Sequence, residues 1–190
     1  MCMKDFLYEY LQRAGTILSK SSVEKLNEVA ELLMDARSKE NWIFTSGNGG
    51  SSATASHFVN DFLKGLSVNG KKRFKTMSLN DSVPVLTALA NDYSYDQCYV
   101  EQLKNYGSPG DVFVTYTGSG NSENVINAAK YAKSINMRVI AFTGRDGGKI
   151  NEFCDINCIA PTDIMEEIED VHMVWEHALV CAIKEKIKSE

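Results

Sequence analysis

Residues 111–133, DVFVTYTGSGNSENVINAAKYAK, decide the fold. Val112–Thr117 reads as a buried strand, Gly118–Asn121 as a loop of small residues, and an amphipathic helix begins near Ser122. A strand, a small-residue loop and a helix N-terminus together form a concave nest of N–H groups and hydroxyls where the helix macrodipole favours an anion. The loop contains no Lys or Arg, so a phosphate held there would rest mainly on neutral donors. The same residues also suit a plain strand-to-helix turn, with the glycines giving a tight backbone and Ser122 capping the helix.

Outward from this stretch the same unit recurs. Trp42–Ser46 is a short predicted strand, followed by GNGGSS and a helix over about 52–66. Phe74–Leu79 is a second strand, and helices are expected over Val83–Asn91, where Pro84 suits a first turn, and over Tyr95–Tyr106. Met137–Thr143 and Ile156–Ala160 complete five strands, and a long helix runs from about Ile164 to Ile187. Strands separated by helices imply a parallel, doubly wound α/β sheet with right-handed crossovers. Ser46-Gly47-Asn48-Gly49 weakly echoes Gly118-Ser119-Gly120-Asn121. Two such loops, both after strands, can converge on one ligand at a switch in strand order.

Residues 3–40 are different. Phe6, Leu7, Tyr10 and Leu11, then Val23, Leu26, Val29, Leu32 and Leu33, fall at helical spacing, and Ser21-Ser22-Val23-Glu24 fits a capping box between two helices. A helical pair ahead of the first strand lies outside the sheet-and-crossover plan. Its apolar stripes need either the domain or another subunit as partner, and another subunit is the expectation. No linker divides the chain, so 1–190 reads as one domain, with 1–40 as oligomerisation helices and 41–190 as the α/β core.

At 190 residues, 44% hydrophobic and 24% charged, the chain has the composition of a globular protein with a sizeable core. A net charge of −5 without blocks of like charge argues against a dedicated nucleic-acid surface. Five cysteines, odd in number and without C-x-x-C spacing, point to a reduced, cytoplasmic protein. No apolar run reaches the length of a membrane span. Dinucleotide and nucleoside-triphosphate cofactors are disfavoured. G-x-G-x-x-G fails at Ser52 and at Glu123, the acidic residue for a ribose is missing after Ala141-Phe142-Thr143, and no Walker pattern occurs.

With both loops read, the chain resembles the sugar isomerase (SIS) domain family, and within it the phosphoheptose isomerase group. The matching residues are Gly47-Asn48-Gly49-Gly50-Ser51, Ala55-Ser56-His57-Phe58, Asn91-Asp92-Tyr93, Thr117-Gly118-Ser119-Gly120-Asn121-Ser122 and Thr143-Gly144-Arg145-Asp146-Gly147-Gly148. They span essentially the whole chain, and as an ordered set they are specific for the flavodoxin-like SIS fold. The resemblance implies substrate contacts at Asn48, Gly49, Gly50, Ser51, Asn91 and Asp92, and a phosphate loop of Thr117, Gly118, Ser119 and Ser122. It implies zinc ligands at His57, Asp61, Glu169 and His177. Catalysis falls to a carboxylate, Asp61 or Glu169, and to His177 as acid/base; Glu169 also stands with the substrate-binding residues. The chain departs from the family pattern in having Asp61 for a Glu, Glu169 for a Gln, Gly118 for a Thr and Gly65 where an Arg is frequent. These departures suggest a sister branch.

The chemistry suits these residues. Moving a carbonyl between C1 and C2 of a sugar phosphate needs a base for a carbon-bound proton and a second group for the enediol oxygens. His57 and Asp61, at i and i+4 on a predicted helix, share a face and can clasp one ion or form an ordinary surface pair. His172 is expected in the core, with Trp175, Leu179 and Ile183 as a core stripe, whereas Glu166, Glu167 and Asp170 read as a solvated face. Lys64, Lys71, Lys72 and Arg73 form a small basic cluster near the missing Arg. The resulting expectation is a cytoplasmic aldose–ketose isomerase for a phosphorylated sugar, most simply sedoheptulose 7-phosphate. It would work as a homotetramer with zinc and serve surface-polysaccharide synthesis. The alternative is a non-catalytic SIS protein that binds a phosphosugar or a replication initiator.

Overall fold

The computed structural model describes residues 2–190. Five strands, β1 (Trp42–Gly47), β2 (Lys75–Ser78), β3 (Val112–Thr117), β4 (Arg138–Gly144) and β5 (Ile156–Ala160), form one sheet in the order β2-β1-β3-β4-β5. Every neighbouring pair is parallel. β3 is central and buried at all its positions, which is why its sequence is apolar and β-branched without alternation. Its side chains still divide by period two. Val112, Val114 and Tyr116 join the core on one face, and Phe113 joins the core on the other.

On the first face lie α1 (Met3–Leu18), α2 (Val23–Lys39), α3 (Gly50–Asn60) and α7 (Met165–Lys188); on the second lie α5 (Cys98–Tyr106) and α6 (Glu123–Ser134). The predicted helix over 52–66 is two pieces, because after α3 the chain widens into a π turn, Asp61–Gly65. The predicted helix over 95–106 is likewise a 3₁₀ turn, Tyr95–Gln97, followed by α5. Ser22, rather than Ser21, caps α2 by accepting from Lys25 N, while Ser21 Oγ accepts from Trp175 Nε1 at 2.7 Å.

The N-terminal pair divides. α2 buries Val29, Leu33 and Ala36 against the sheet and α7, so the domain itself covers its stripe. α1 buries only Ile17 and leaves Phe6, Leu7, Tyr8 and Leu11 exposed. It is tied to α7 by polar contacts, Tyr10 to Asp170 at 2.6 Å and Arg13 to Glu167. Glu167 is therefore not on a solvated face. It is 1% exposed and accepts from both Arg13 and Thr162.

Candidate active site

In this strand order the chain leaves β1 in one direction and returns on its other side at β3. The switch point lies between them, at the carboxyl ends where the two small-residue loops sit. A cavity of about 290 Å³ opens there, lined by Asn48, Gly49, Gly50, Ser51, Thr117, Gly118, Ser119 and Ser122, with Tyr116, Met165 and Glu169. The N-termini of α3 and α6 both border it.

The β3 loop is held from behind. Gly144 N donates to Gly118 O at 3.1 Å, and Ile150 N donates to Gly120 O at 3.0 Å. Gly120 has φ +64, and a Cβ on it would run into the Gly147 carbonyl oxygen, so glycine is required twice over. The Gly144–Gly148 segment thus acts as a brace for the loop. Ser122 occupies the N-cap position of α6 yet makes no capping bond, which leaves its hydroxyl for a ligand in the cavity. At Gly118 a Cβ would meet Met165 Sδ; that thioether fills the space.

The β1 loop is fixed through Asn48. Its Oδ1 accepts from Tyr95 Oη at 2.8 Å and from Asn124 Nδ2 at 2.8 Å. Gly50 opens α3 opposite α7, and a Cβ there would lie 2.5 Å from Glu169 Oε2. The absent side chain makes the room that the Glu169 carboxylate occupies. No Lys or Arg lines this cavity among the described residues, and Lys72 of the basic cluster pairs instead with Glu40 at 3.2 Å.

Two turns further along α3 and α7 a second group converges. His57 Nε2 and His177 Nε2 are 3.0 Å apart. Asp61 Oδ2 is 3.6 Å from the first imidazole and 4.0 Å from the second. The π turn begins at Asp61, a placement often found at functional sites. Glu176 Oε2 lies 3.9 Å from His57 Nε2 and 3.6 Å from His177 Nε2. Glu176 is fully buried, and neither of its oxygens has a hydrogen-bond partner among the described residues. Burial pushes its carboxyl up to about 8, with the nearby Asp61 charge adding to the effect. Between the two groups, the buried Tyr116 hydroxyl also lacks a partner; burial, then the Glu176 charge, holds it well above the usual phenol range.

The structure thus brings His57, Asp61 and His177 together, but Glu169, expected with them as a ligand, stands in the cavity against Gly50. Asn91 and Asp92 are exposed at the end of α4 (Val83–Asp92), with Asn91 Nδ2 donating to Asp92 Oδ1 at 2.9 Å, and they do not line the cavity. His172 is in the core as expected, 1% exposed, its Nε2 2.9 Å from the Thr143 carbonyl oxygen. Burial pulls its pKa down to about 4, against the opposing pull of that carbonyl. Sequence reasoning missed Glu176. The signal was present: a carboxylate directly after Trp175, on the buried stripe of α7, where a solvated charge has no place.

Residues 8–144 match the family model described as SIS domain. The chain is 36% identical to a phosphoheptose isomerase of Aliarcobacter butzleri, over 92% of this chain and 93% of that one. It is also 36% identical to a probable phosphoheptose isomerase of Thermoplasma acidophilum, over 94% of this chain and 97% of the relative. Among solved structures, a phosphoheptose isomerase from Neisseria gonorrhoeae superposes with a TM-score of 0.88 at 32% identity, covering 96% of this chain and 98% of that one. One from Francisella tularensis gives a TM-score of 0.90 at 25% identity, covering 97% of this chain and all of that one.

Proposed function

The chain belongs to the SIS-domain family and is a sugar-phosphate isomerase, and on that premise we propose that it interconverts sedoheptulose 7-phosphate and an aldose heptose 7-phosphate. The observation that carries the reading is the cavity at the switch point, where a braced neutral loop and Glu169, the one carboxylate lining it among the described residues, face one space. Ser119 and Ser122, with the backbone N–H groups at the start of α6, take the phosphate, the helix dipole adding to their attraction. Asn48 and the α3 N-terminus orient the sugar hydroxyls.

Glu169 takes the proton from the carbon beside the carbonyl, giving an enediol, and returns it to the neighbouring carbon. His177 passes the proton between the two oxygens as the carbonyl changes place, using the ring nitrogen that would carry no ion. Positioned groups of this kind each contribute roughly 10²–10⁴-fold. A zinc ion held by His57, Asp61 and His177 would supply Lewis-acid polarisation of those oxygens when bound. Two imidazoles, a carboxylate and a neighbouring orphaned carboxylate form a donor set suited to it. The uncovered apolar face of α1 supports a homo-oligomer, a tetramer by family resemblance. With it goes a cytoplasmic role in supplying heptose for surface polysaccharide.

The test is to incubate the purified protein with sedoheptulose 7-phosphate and a panel of pentose and hexose phosphates, following aldose–ketose exchange by NMR in deuterated water. Interconversion of the heptose with deuterium entering at the reacting carbon, reduced by chelator, is the expected result. Binding of phosphosugars without conversion of any would overturn catalysis in favour of a sensor.

A further inference from the structure

We propose that Glu176 is the fourth protein donor of the metal centre, and that Glu169 is thereby kept out of it as the carboxylate of the substrate cavity. This rests on the isomerase reading and on its metal, but assigns the two acidic residues of α7 differently from the family pattern, in which the position of Glu169 is a ligand.

Geometry is the first argument. Four donors around one zinc, at bonds of about 2.0–2.2 Å, form a tetrahedron whose edges are about 3.3–3.6 Å. Five edges of the group His57, Asp61, Glu176 and His177 measure 3.0, 3.6, 3.9, 4.0 and 3.6 Å. All four donor atoms lie within 4.8 Å of one another. Small side-chain movements close such a group on an ion, and a sugar oxygen would join as a further donor when substrate is present. Glu169 stands eight residues before His177, about 12 Å along the helix, with its carboxylate over Gly50.

The second argument is the unpartnered carboxylate. Glu176 is fully buried with both oxygens lacking a hydrogen bond among the described residues, a costly arrangement that a leucine of similar size would relieve. A divalent cation is the partner that such an oxygen pair, facing two imidazole nitrogens, lacks. Two carboxylates also balance the charge of a divalent ion. The seven-residue step from Glu169 to Glu176 matches the step from Gly50 to His57, so α3 and α7, lying side by side, present one carboxylate to each half of the cleft.

The test uses the full chain stripped with chelator, then titrated with zinc against a chromophoric competitor, with cobalt(II) absorption as a second reading. The wild type takes up one zinc per chain and shows a four-coordinate cobalt band. Glu176→Leu loses at least about 100-fold in zinc affinity and the band, taking the upper effect of outer-shell changes as a lower bound for a lost ligand. Glu169→Leu, which removes every donor atom at that position, keeps both. Metal-free Glu176→Leu melts at or above the metal-free wild type, which shows that its loss of zinc is not a loss of fold; Glu176→Gln, of equal size, gives a second reading. Zinc affinity unchanged in Glu176→Leu, or lost in Glu169→Leu, overturns the assignment while leaving the metal reading in place. A wild-type protein that takes up no zinc overturns both, and sugar-phosphate exchange measured on the same sample then shows whether the isomerase reading survives without them.

Discussion

At the carboxyl ends of β1 and β3 the loops of the site are built of neutral groups whose backbone the fold already holds in place. Two turns further along α3 and α7 it is made of imidazoles and carboxylates that the fold leaves short of partners. In the first region the loop carbonyls at Gly118 and Gly120 accept from a neighbouring segment, and Asn48 is held by Tyr95 and Asn124. In the second, the two oxygens of Glu176 have no hydrogen bond among the described residues. A receptor for a phosphate needs a fixed shape and gains from dipoles. A centre for a cation and for proton transfer needs charge, and charge in a buried place is stable only when its counterpart arrives.

The contrast can be broken most sharply at Glu169, the one acidic residue on the neutral side. Glu169→Gln should lower kcat by roughly 10²–10⁴-fold while zinc content stays at the wild-type level, as measured by steady-state kinetics and metal analysis on one preparation. A fall in kcat of less than about tenfold would hand the base to Asp61 and erase the division between the two halves.

His172 sharpens the comparison from the same helix, because it is a buried histidine beside a carbonyl partner. Its folded pKa of about 4 lies below the ordinary imidazole value of about 6.5. Between those values the unfolded chain binds more protons, so the stability it contributes is fully present above about pH 6.5 and is lost as pH falls toward 4. At 1.36 kcal/mol per unit the contribution is about 3 kcal/mol. Denaturant melts of the metal-free protein from pH 4 to 7 should show a slope that flattens in His172→Gln; equal slopes in both proteins refute the assignment.

Within the neutral half the effects should be smaller. Gly120→Ala forces a side chain into a left-handed conformation and against the Gly147 carbonyl, which costs about 1–3 kcal/mol. It should lower both Tm and phosphate affinity; a change in one without the other would uncouple the brace from the binding loop. Ser122→Ala removes one neutral donor, worth about 1 kcal/mol, and should raise KM about fivefold with kcat nearly unchanged. A much larger rise would mean that the phosphate depends on a charge-assisted contact at that position.

The halves differ too in how much of them the sequence discloses. The order of strands and helices, the two loops and the cap position of Ser122 follow from residues adjacent in the chain, and the structure has them nearly where periodicity puts them. The Gly144–Gly148 stretch could be matched as a motif, but its bracing role needs the pairing of β3 with β4. The cluster lies beyond local reading. His57 and His177 are 120 positions apart, and nothing near Glu176 in the chain says that α3 will lie beside it. The solvated reading of Glu167 failed for a related reason: its partners, Arg13 and Thr162, come from other parts of the chain, and α1 covers it. The same distance hides the contact between Gly50 and Glu169, where the informative feature is a missing Cβ.

The hydrogen bonds from Gly144 and Ile150 to the β3 loop have a kinetic consequence. A receptor whose walls are locked before its guest arrives gives up little configurational entropy on capture. Inorganic phosphate should therefore bind in a single fast phase whose rate rises in proportion to concentration, without the plateau that a slow opening step would impose.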